Sequence, residues 1–253
     1  MADAPRNWFA EGGDAYARFR PAWPDGIASF LADLAPGRRL ALDAGCGGGQ
    51  LTLLLGGHFE RVIGCDPAGE QIAHAPAHPN VRYVAAPAEA LPAPDASVSL
   101  ITAAQAAHWF DLPRFYDEVR RVAAPGAPVA LLSYGVARLG DPDLDARFRR
   151  FCYGEMGPFW PPGRRLVESG YAGLPFPFRE LQPPPFEITA EWPAEAFVGY
   201  LSTWSAVKRA GAQGETALAR FAAELGALWG DPDRPRRIVW PVRMRLGVVE
   251  KDA

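Results

Sequence analysis

Lysine is almost missing from this chain: Lys208 and Lys251 are its only two, and nearly all of its positive charge is arginine. With no Lys/Arg run long enough to suggest a basic patch and a formal net charge of −3, the sequence argues against a general affinity for nucleic-acid phosphate. Cysteine is scarce as well. Cys46, Cys65 and Cys152 are odd in number, widely spaced and free of any C-x-x-C pair, so neither a disulfide framework nor a zinc site is indicated. Residues 1–10 carry Asp3, Arg6 and Trp8 where a signal peptide would need an apolar run. No segment approaches the roughly 20 apolar residues that span a bilayer. The expectation is a soluble cytoplasmic protein, without metal, whose partner is a small molecule rather than a membrane or a nucleic acid; oligomeric state is not legible.

What is present is ordinary for a globular chain. Apolar residues make up 49% and charged residues 22%, and 253 residues can bury one large core. The apolar pattern alternates between strand and helix. Helices are expected at 25–35, 50–55, 69–75 and 112–122, and strands at 40–44, 61–65, 81–85, 97–103 and 128–133. Pro36-Gly37 and Pro125-Gly126 punctuate two of the helices. Five such βα units in about a hundred residues predict a Rossmann-like doubly wound α/β sheet of about seven strands. It should be mostly parallel, with an antiparallel strand at the C-terminus (238–249) and helical cap elements. The organisation expected is one domain over 1–253: a ligand-binding half at 1–135, cap insertions and a sixth strand at 136–235, and a last strand at 236–253. Within the cap, helices are expected at 143–153, 164–168, 194–209 and 216–229, and a strand broken by Pro183–Pro185 within 178–188.

Ligands of such sheets sit at the carboxyl ends of the strands. There the chain reads Leu42-Asp43-Ala44-Gly45-Cys46-Gly47-Gly48-Gly49-Gln50, with glycines at 45, 47 and 49 between a strand and a helix. Glycine permits torsions that side chains resist and lets a ligand approach the main chain. A dinucleotide fingerprint would want its third glycine at position 50, which is Gln, and no Gly-Lys-Ser/Thr follows to make a P-loop. Asp66 closes the second strand about twenty residues on, where a carboxylate can accept hydrogen bonds from both hydroxyls of a ribose. An N-cap role for that Asp and a merely tight turn at the glycines are the plainer alternatives.

As a set, these segments resemble the class I S-adenosylmethionine-dependent methyltransferases. LDAGCGGGQ matches the first motif of that family and VIGCDP the second. AEALP (88–92), PDASVSLITAAQAAHWF (94–110) and RRVAAPGAPVALL (120–132) are similar to the small-molecule "type 11" group. YLSTWSAVKR (200–209) and VWPVRMRLG (239–247) resemble its trans-aconitate-methyltransferase-like branch. The resemblance implies S-adenosylmethionine as cofactor and methyl transfer to a small acceptor, a carboxylate or a hydroxyl. It also implies roles: Asp43 supporting the glycine turn and the methionyl ammonium, and Gly45, Cys46, Gly47 and Gly49 lining the methionyl and ribose portion. Asp66 would hold the ribose, Pro67 and Gln71 would lie beside the adenine, Ala88 and Glu89 would flank it, and Gln105 would sit below the sulfonium. Tyr16, with Arg20 second, would come from an N-terminal lid. Where many relatives have Asp before the Ala-Glu pair this chain has Pro87, which lacks a backbone N–H.

His108, just after strand four, is the candidate general base, since a free imidazole titrates near ~6.5; a packing histidine beside Trp109 is the alternative. Trp109, Tyr200, Trp204 and Arg209 are candidate acceptor contacts. An Asn/Asp-Pro-Pro-aromatic signature is lacking after Ala104, which counts against methylation of nucleic-acid bases. Two other readings remain: an NAD(P)-dependent oxidoreductase, disfavoured by Gln50 and by the lack of a Tyr-x-x-x-Lys pair, and a non-catalytic adenosyl-binding module.

Overall fold

A computed structural model describes residues 19–250. The chain divides into two compact units. The first, a sheet unit, comprises Ala22–Gly135, Arg165–Glu187 and the chain from Pro241 onward. Its helix α1 (Asp25–Leu34) buries Ile27, Ala28, Leu31 and Ala32 at helical spacing. There follow β1 (Ala41–Ala44), α2 (Gln50–Gly56), β2 (Val62–Asp66), α3 (Gly69–Ala73), β3 (Val81–Ala85), β4 (Leu100–Ala104), α4 (Leu112–Val122) and β5 (Pro128–Tyr134). The strands lie in the order β3-β2-β1-β4-β5, all parallel. β1 and β5 are buried throughout, as expected of strands covered on both faces.

The chain runs outward from β1 to β2 and β3 on one side and returns to β4 and β5 on the other. That reversal makes the carboxyl end of β1 the switch point at which ligands of such sheets bind. β9 (Arg236–Val248) then pairs antiparallel with β5, Leu132 opposite Met244, and gives the sheet its antiparallel member. Arg121 ties the segment before β4 to α4: its guanidinium donates to the Leu91 and Ala93 carbonyls while pairing with Glu118 and Asp95.

Boundaries differ from the sequence reading in places with local causes. The fourth strand begins at Leu100 rather than Ser97, because Ser97 and Val98 donate their N–H groups to the Val122 carbonyl at the end of α4. The prolines at 183–185 separate two strands, β7 (Arg179–Leu181) and β8 (Phe186–Trp192), both on β9. That split and a two-residue strand at Arg138–Leu139 bring the count from about seven to nine among the described residues.

The second unit comprises Val136–Arg164 and Ile188–Trp240, with the described residues up to Pro21. It contains β6 (Arg138–Leu139), α5 (Pro142–Arg149), α7 (Ala194–Ser202), α8 (Ser205–Ala212) and α9 (Ala217–Trp229); the short α6 (Arg164–Glu168) leads from its boundary residue into the sheet unit. The helix expected at 143–153 is α-helical only to Arg149 and continues as a π-helical turn over Arg150–Glu155. The helix expected at 194–209 is two helices. Trp204 is extended between them, and the Thr203 hydroxyl bonds back to the Tyr200 carbonyl at 2.6 Å. Phe148, Phe151, Phe197, Tyr200, Trp204, Phe221 and Trp229 form its aromatic core. Among the described residues no helix is long and apolar enough to cross a membrane.

Candidate active site

The loop between β1 and α2 is built as its glycines imply. Gly45, Gly47 and Gly49 have φ of +66°, +52° and +79°, all in the left-handed region. A methyl added at Gly48 would meet nothing within 4 Å, and one at Gly47 only Gln71 Oε1 at 3.9 Å. The main chain is therefore bare on one side, open to a ligand. The other side is closed: a methyl at Gly45 would stand 2.5 Å from Ala106 Cβ and 3.1 Å from Phe110 Cζ, in the turn after β4.

Asp66, at the end of β2, faces this loop. Its Oδ2 accepts from Gly47 N at 3.0 Å and its Oδ1 from Ala68 N at 2.8 Å. Two of its roughly four lone-pair sites are thus used in fixing the loop, and two remain for a ligand's hydroxyls. The N-cap alternative weighed for this residue is not realised in the geometry, since the N-cap of α3 is Ala68.

Asp43 lies below the loop, 1% exposed. The Thr52 hydroxyl of α2 and the Thr102 hydroxyl of β4 each donate to it at 2.7 Å, so one carboxylate joins three elements. Burial pushes its carboxyl up to about 6; the two hydroxyls pull it down, and the nearby Asp66 charge pushes it up further. A carboxyl that holds its proton more tightly folded than unfolded adds stability in full below about pH 4, and that contribution is lost as pH rises through about 6. We expect Asp43 to make the protein roughly 2–3 kcal/mol less stable at pH 7 than at pH 4 relative to an Asp43→Asn variant. Denaturant unfolding of both proteins from pH 4 to 7 measures this, and a difference that stays flat across the range refutes it.

Cys46 is partly buried, and its N–H donates to the Cys65 carbonyl at 3.0 Å. Burial first, and the Asp43 and Asp66 charges second, push its thiol far up, so it lines the loop as a neutral group. Beyond β2, Pro67 is exposed, Gln71 sits on α3, and Ala88 is buried in the main core. Glu89 Oε1 accepts from Asp111 N at 2.7 Å, joining the loop after β3 to the start of α4.

After β4 the chain makes a left-handed step at Gln105 (φ +56°), whose Nε2 donates to the Tyr134 carbonyl at 3.4 Å. A short 3₁₀ turn, Ala107–Trp109, then presents His108 and Trp109. Trp109 is 53% exposed. His108 Nδ1 lies 3.2 Å from the Tyr171 hydroxyl, and the two rings stack at 6.1 Å.

The sheet unit therefore brings together Asp43, the glycine loop, Asp66, Gln71, Gln105 and His108. Tyr200, Trp204 and Arg209 belong to the other unit, where Tyr200 and Trp204 are each 3% exposed. Trp240 Nε1 donates to the Tyr200 hydroxyl at 3.2 Å, and Trp204 packs on Phe148, Phe151 and Trp160. Arg20 belongs there too, its guanidinium 5.7 Å from the Tyr200 ring centroid. Tyr16 lies outside the described residues. Sequence reasoning missed Thr52, Thr102, Tyr83 beneath Gly49, and Tyr171. A buried acid at a strand end calls for hydroxyl or amide partners, a signal that could have pointed to Thr52 nine residues on. Nothing local marks Tyr171.

Comparison with known proteins agrees with this geometry. A methyltransferase-domain family matches residues 42–131, from β1 through most of β5. A candidate methyltransferase of Dictyostelium discoideum is 33% identical over 194 residues, 76% of this chain and 74% of that protein. A candidate S-adenosylmethionine-dependent methyltransferase of Saccharomyces cerevisiae is 30% identical over 171 residues, 62% of this chain and 58% of that protein. The solved structure of a candidate type II methyltransferase from Anaeromyxobacter dehalogenans is 49% identical, covers 92% of this chain and all of its own, and superposes with a TM-score of 0.87. A bare left-handed glycine turn on β1, an acid at the end of β2 and these relatives converge: the chain belongs to the class I S-adenosylmethionine-dependent methyltransferases.

Proposed function

We propose that the chain transfers the methyl group to a small-molecule acceptor, a carboxylate or a hydroxyl, held beside His108 and Trp109. The observation that supports this is the packing of the turn after β4 against Gly45, through Ala106 and Phe110. That contact brings the segment carrying Gln105, His108 and Trp109 against the glycine loop that we take as the cofactor seat.

Bound at this loop, the cofactor supplies an electrophilic methyl carbon on a sulfonium whose neutral sulfide is a good leaving group. What remains for the chain is to hold and align, which can supply several kcal/mol of a displacement barrier. Asp66 is the ribose acceptor, through the lone pairs that Gly47 and Ala68 leave unused. The glycine backbone lies along the methionyl portion, with Asp43 holding the strand beneath it. Pro67, Gln71, Ala88 and Glu89 frame the adenine. Gln105, tied to the Tyr134 carbonyl, would sit below the sulfonium. Trp109 offers an exposed aromatic face to the acceptor.

Membership of the methyltransferase family sets aside the oxidoreductase reading. The trans-aconitate-like branch is our finer assignment, supported by the segments at 200–209 and 239–247. The test is to incubate the protein with methyl-labelled S-adenosylmethionine and a panel of small carboxylic acids and phenols. We expect label in a base-labile ester or a base-stable ether, which also tells the two acceptor classes apart. Label found only in protein or nucleic acid, or S-adenosylhomocysteine binding with no turnover on any small acceptor, overturns the proposal.

A further inference from the structure

His108 has two ring nitrogens, and the one that carries the hydrogen decides whether the neutral side chain can accept a proton or only donate a hydrogen bond. In the sheet unit that choice is made by Tyr171, which follows α6. Tyr171 is fully buried, and among the described residues its hydroxyl has one hydrogen-bond partner, His108 Nδ1 at 3.2 Å. Burial pushes its phenol well up, so it keeps its hydrogen. Suppose Nδ1–H were the donor. The phenol hydrogen would then be buried with no acceptor among the described residues, which is the expensive side of hydrogen-bond accounting. With the phenol as donor, its hydrogen and Nδ1 are both satisfied. The hydrogen of the neutral imidazole must then sit on Nε2.

The backbone around Tyr171 is arranged for this placement. Gly170 and Tyr171 are consecutive left-handed residues, with φ of +66° and +64°. For a bulky side chain that conformation is a true outlier, and such strain persists only where surrounding structure enforces it. Here the enforcement is visible. Tyr171 N donates to the Leu166 carbonyl at 2.8 Å, and Arg245 Nη1 donates to the carbonyls of Tyr171 at 3.2 Å and Leu174 at 2.6 Å. A methyl at Gly170 would stand 2.5 Å from Arg243 Cβ, so the turn has no slack on that side. The Ser133 hydroxyl holds the Val167 carbonyl at 3.0 Å and so fixes α6 to β5, the neighbour of the strand from which His108 hangs.

We propose that Tyr171 is a positioning residue that holds neutral His108 with its hydrogen on Nε2, so that His108 serves the acceptor as a hydrogen-bond donor and not as a proton-abstracting base. This rests on the reading above that the acceptor is bound beside His108. The general-base role expected from the sequence is thereby replaced. A carboxylate, the acceptor class that a hydrogen-bond donor at Nε2 selects, enters as an anion: its oxygen uses one lone pair to form the new O–C bond, the C–S pair stays on sulfur, and no proton has to leave. His108 Nε2–H orients that oxygen through a second lone pair.

The tautomer is read directly by nitrogen NMR of ¹⁵N-histidine-labelled protein well above pH 7, without cofactor or acceptor. The chain has four histidines, so the His108 signals are assigned by their loss in His108→Gln. We expect a protonated Nε2 and an unprotonated, hydrogen-bonded Nδ1, and in Tyr171→Phe a shift toward a mixture of tautomers. A protonated Nδ1 in the native protein overturns the proposal even if methyl transfer is normal. Absence of methyl transfer with the expected tautomer sinks the functional reading and leaves the Tyr171 assignment standing. The donor role is separated from the base role in the same variants. A glutamine amide nitrogen can take the place of Nε2–H but cannot take a proton. His108→Gln should therefore keep kcat within about tenfold of native while His108→Ala loses far more; equal losses in both overturn the donor assignment.

Discussion

Gly49→Ala is expected to destabilise the protein by about 2–5 kcal/mol and to abolish measurable cofactor binding. Two effects add. The residue sits at φ +79° as the N-cap of α2, where any L side chain is strained by roughly 1–2 kcal/mol. The new methyl would also stand 2.2 Å from Tyr83 Oη and 2.8 Å from two atoms of its ring, and overpacking of this kind costs about 1–3 kcal/mol. Tyr83 is half-buried and lies on β3 opposite Gly64, its ring packed over that glycine. Either the ring or the loop must shift, and the loop carries with it the backbone that Asp66 holds. Tyr83→Phe is the control. The tyrosine hydroxyl is buried with no partner among the described residues, so removing it should leave stability unchanged or raise it. Denaturant unfolding and calorimetry with S-adenosylhomocysteine check both variants. A Gly49→Ala protein within 0.5 kcal/mol of native, a difference small by the ordinary scale of surface substitutions, would remove the steric argument.

Asp66→Ala should weaken S-adenosylhomocysteine binding by about 2–4 kcal/mol, roughly 30- to 1,000-fold. The carboxylate is proposed to accept from two ribose hydroxyls; one hydrogen bond to a charged group contributes about 1.5–3 kcal/mol, and two that share one carboxylate add to less than twice that. It also fixes Gly47 N and Ala68 N, so the loop loses its anchor in the same step. Asp66→Asn separates the two jobs. An amide keeps one oxygen for a single N–H or hydroxyl and presents a donor where the carboxylate accepts, so its loss should fall between native and alanine. Affinity in Asp66→Ala within twofold of native would show that the ribose is held elsewhere.

Much of the sheet unit was legible because its signals are local. The apolar run at 40–44 could alone be helix or strand, but the alternating glycines after it favour a strand entering a tight turn, observed over Ala41–Ala44, and Asp66 falls at the end of the next apolar run. α4 was readable to the residue: Asp111 caps it, Pro113 fits its first turn, and Phe115, Tyr116, Val119 and Val122 share one buried face. What escaped depends on pairing between distant segments. The bond from Thr102 to Asp43 follows from the register of β4 against β1, which places those two residues opposite one another. Tyr171 reaches His108 across 63 residues through a left-handed turn that no single-residue preference announces. Tyr200 and Trp204 drew attention as aromatics near a cationic side chain. Their spacing belongs to a helix pair that buries both, and apolar periodicity does not distinguish an aromatic core from an aromatic pocket.

The long last strand also bears on how the molecule behaves in company. A parallel array ending at β5 would leave a seven-residue, mostly apolar rim with unused amide and carbonyl groups, a template on which a second chain could polymerise. β9 occupies that rim along its whole length, and β7 pairs with the far side of β9 at Leu246–Val248. The opposite rim is β3, only five residues long with an exposed arginine, Arg82, in its run. Brevity and charge at one border and self-capping at the other discourage strand-by-strand aggregation.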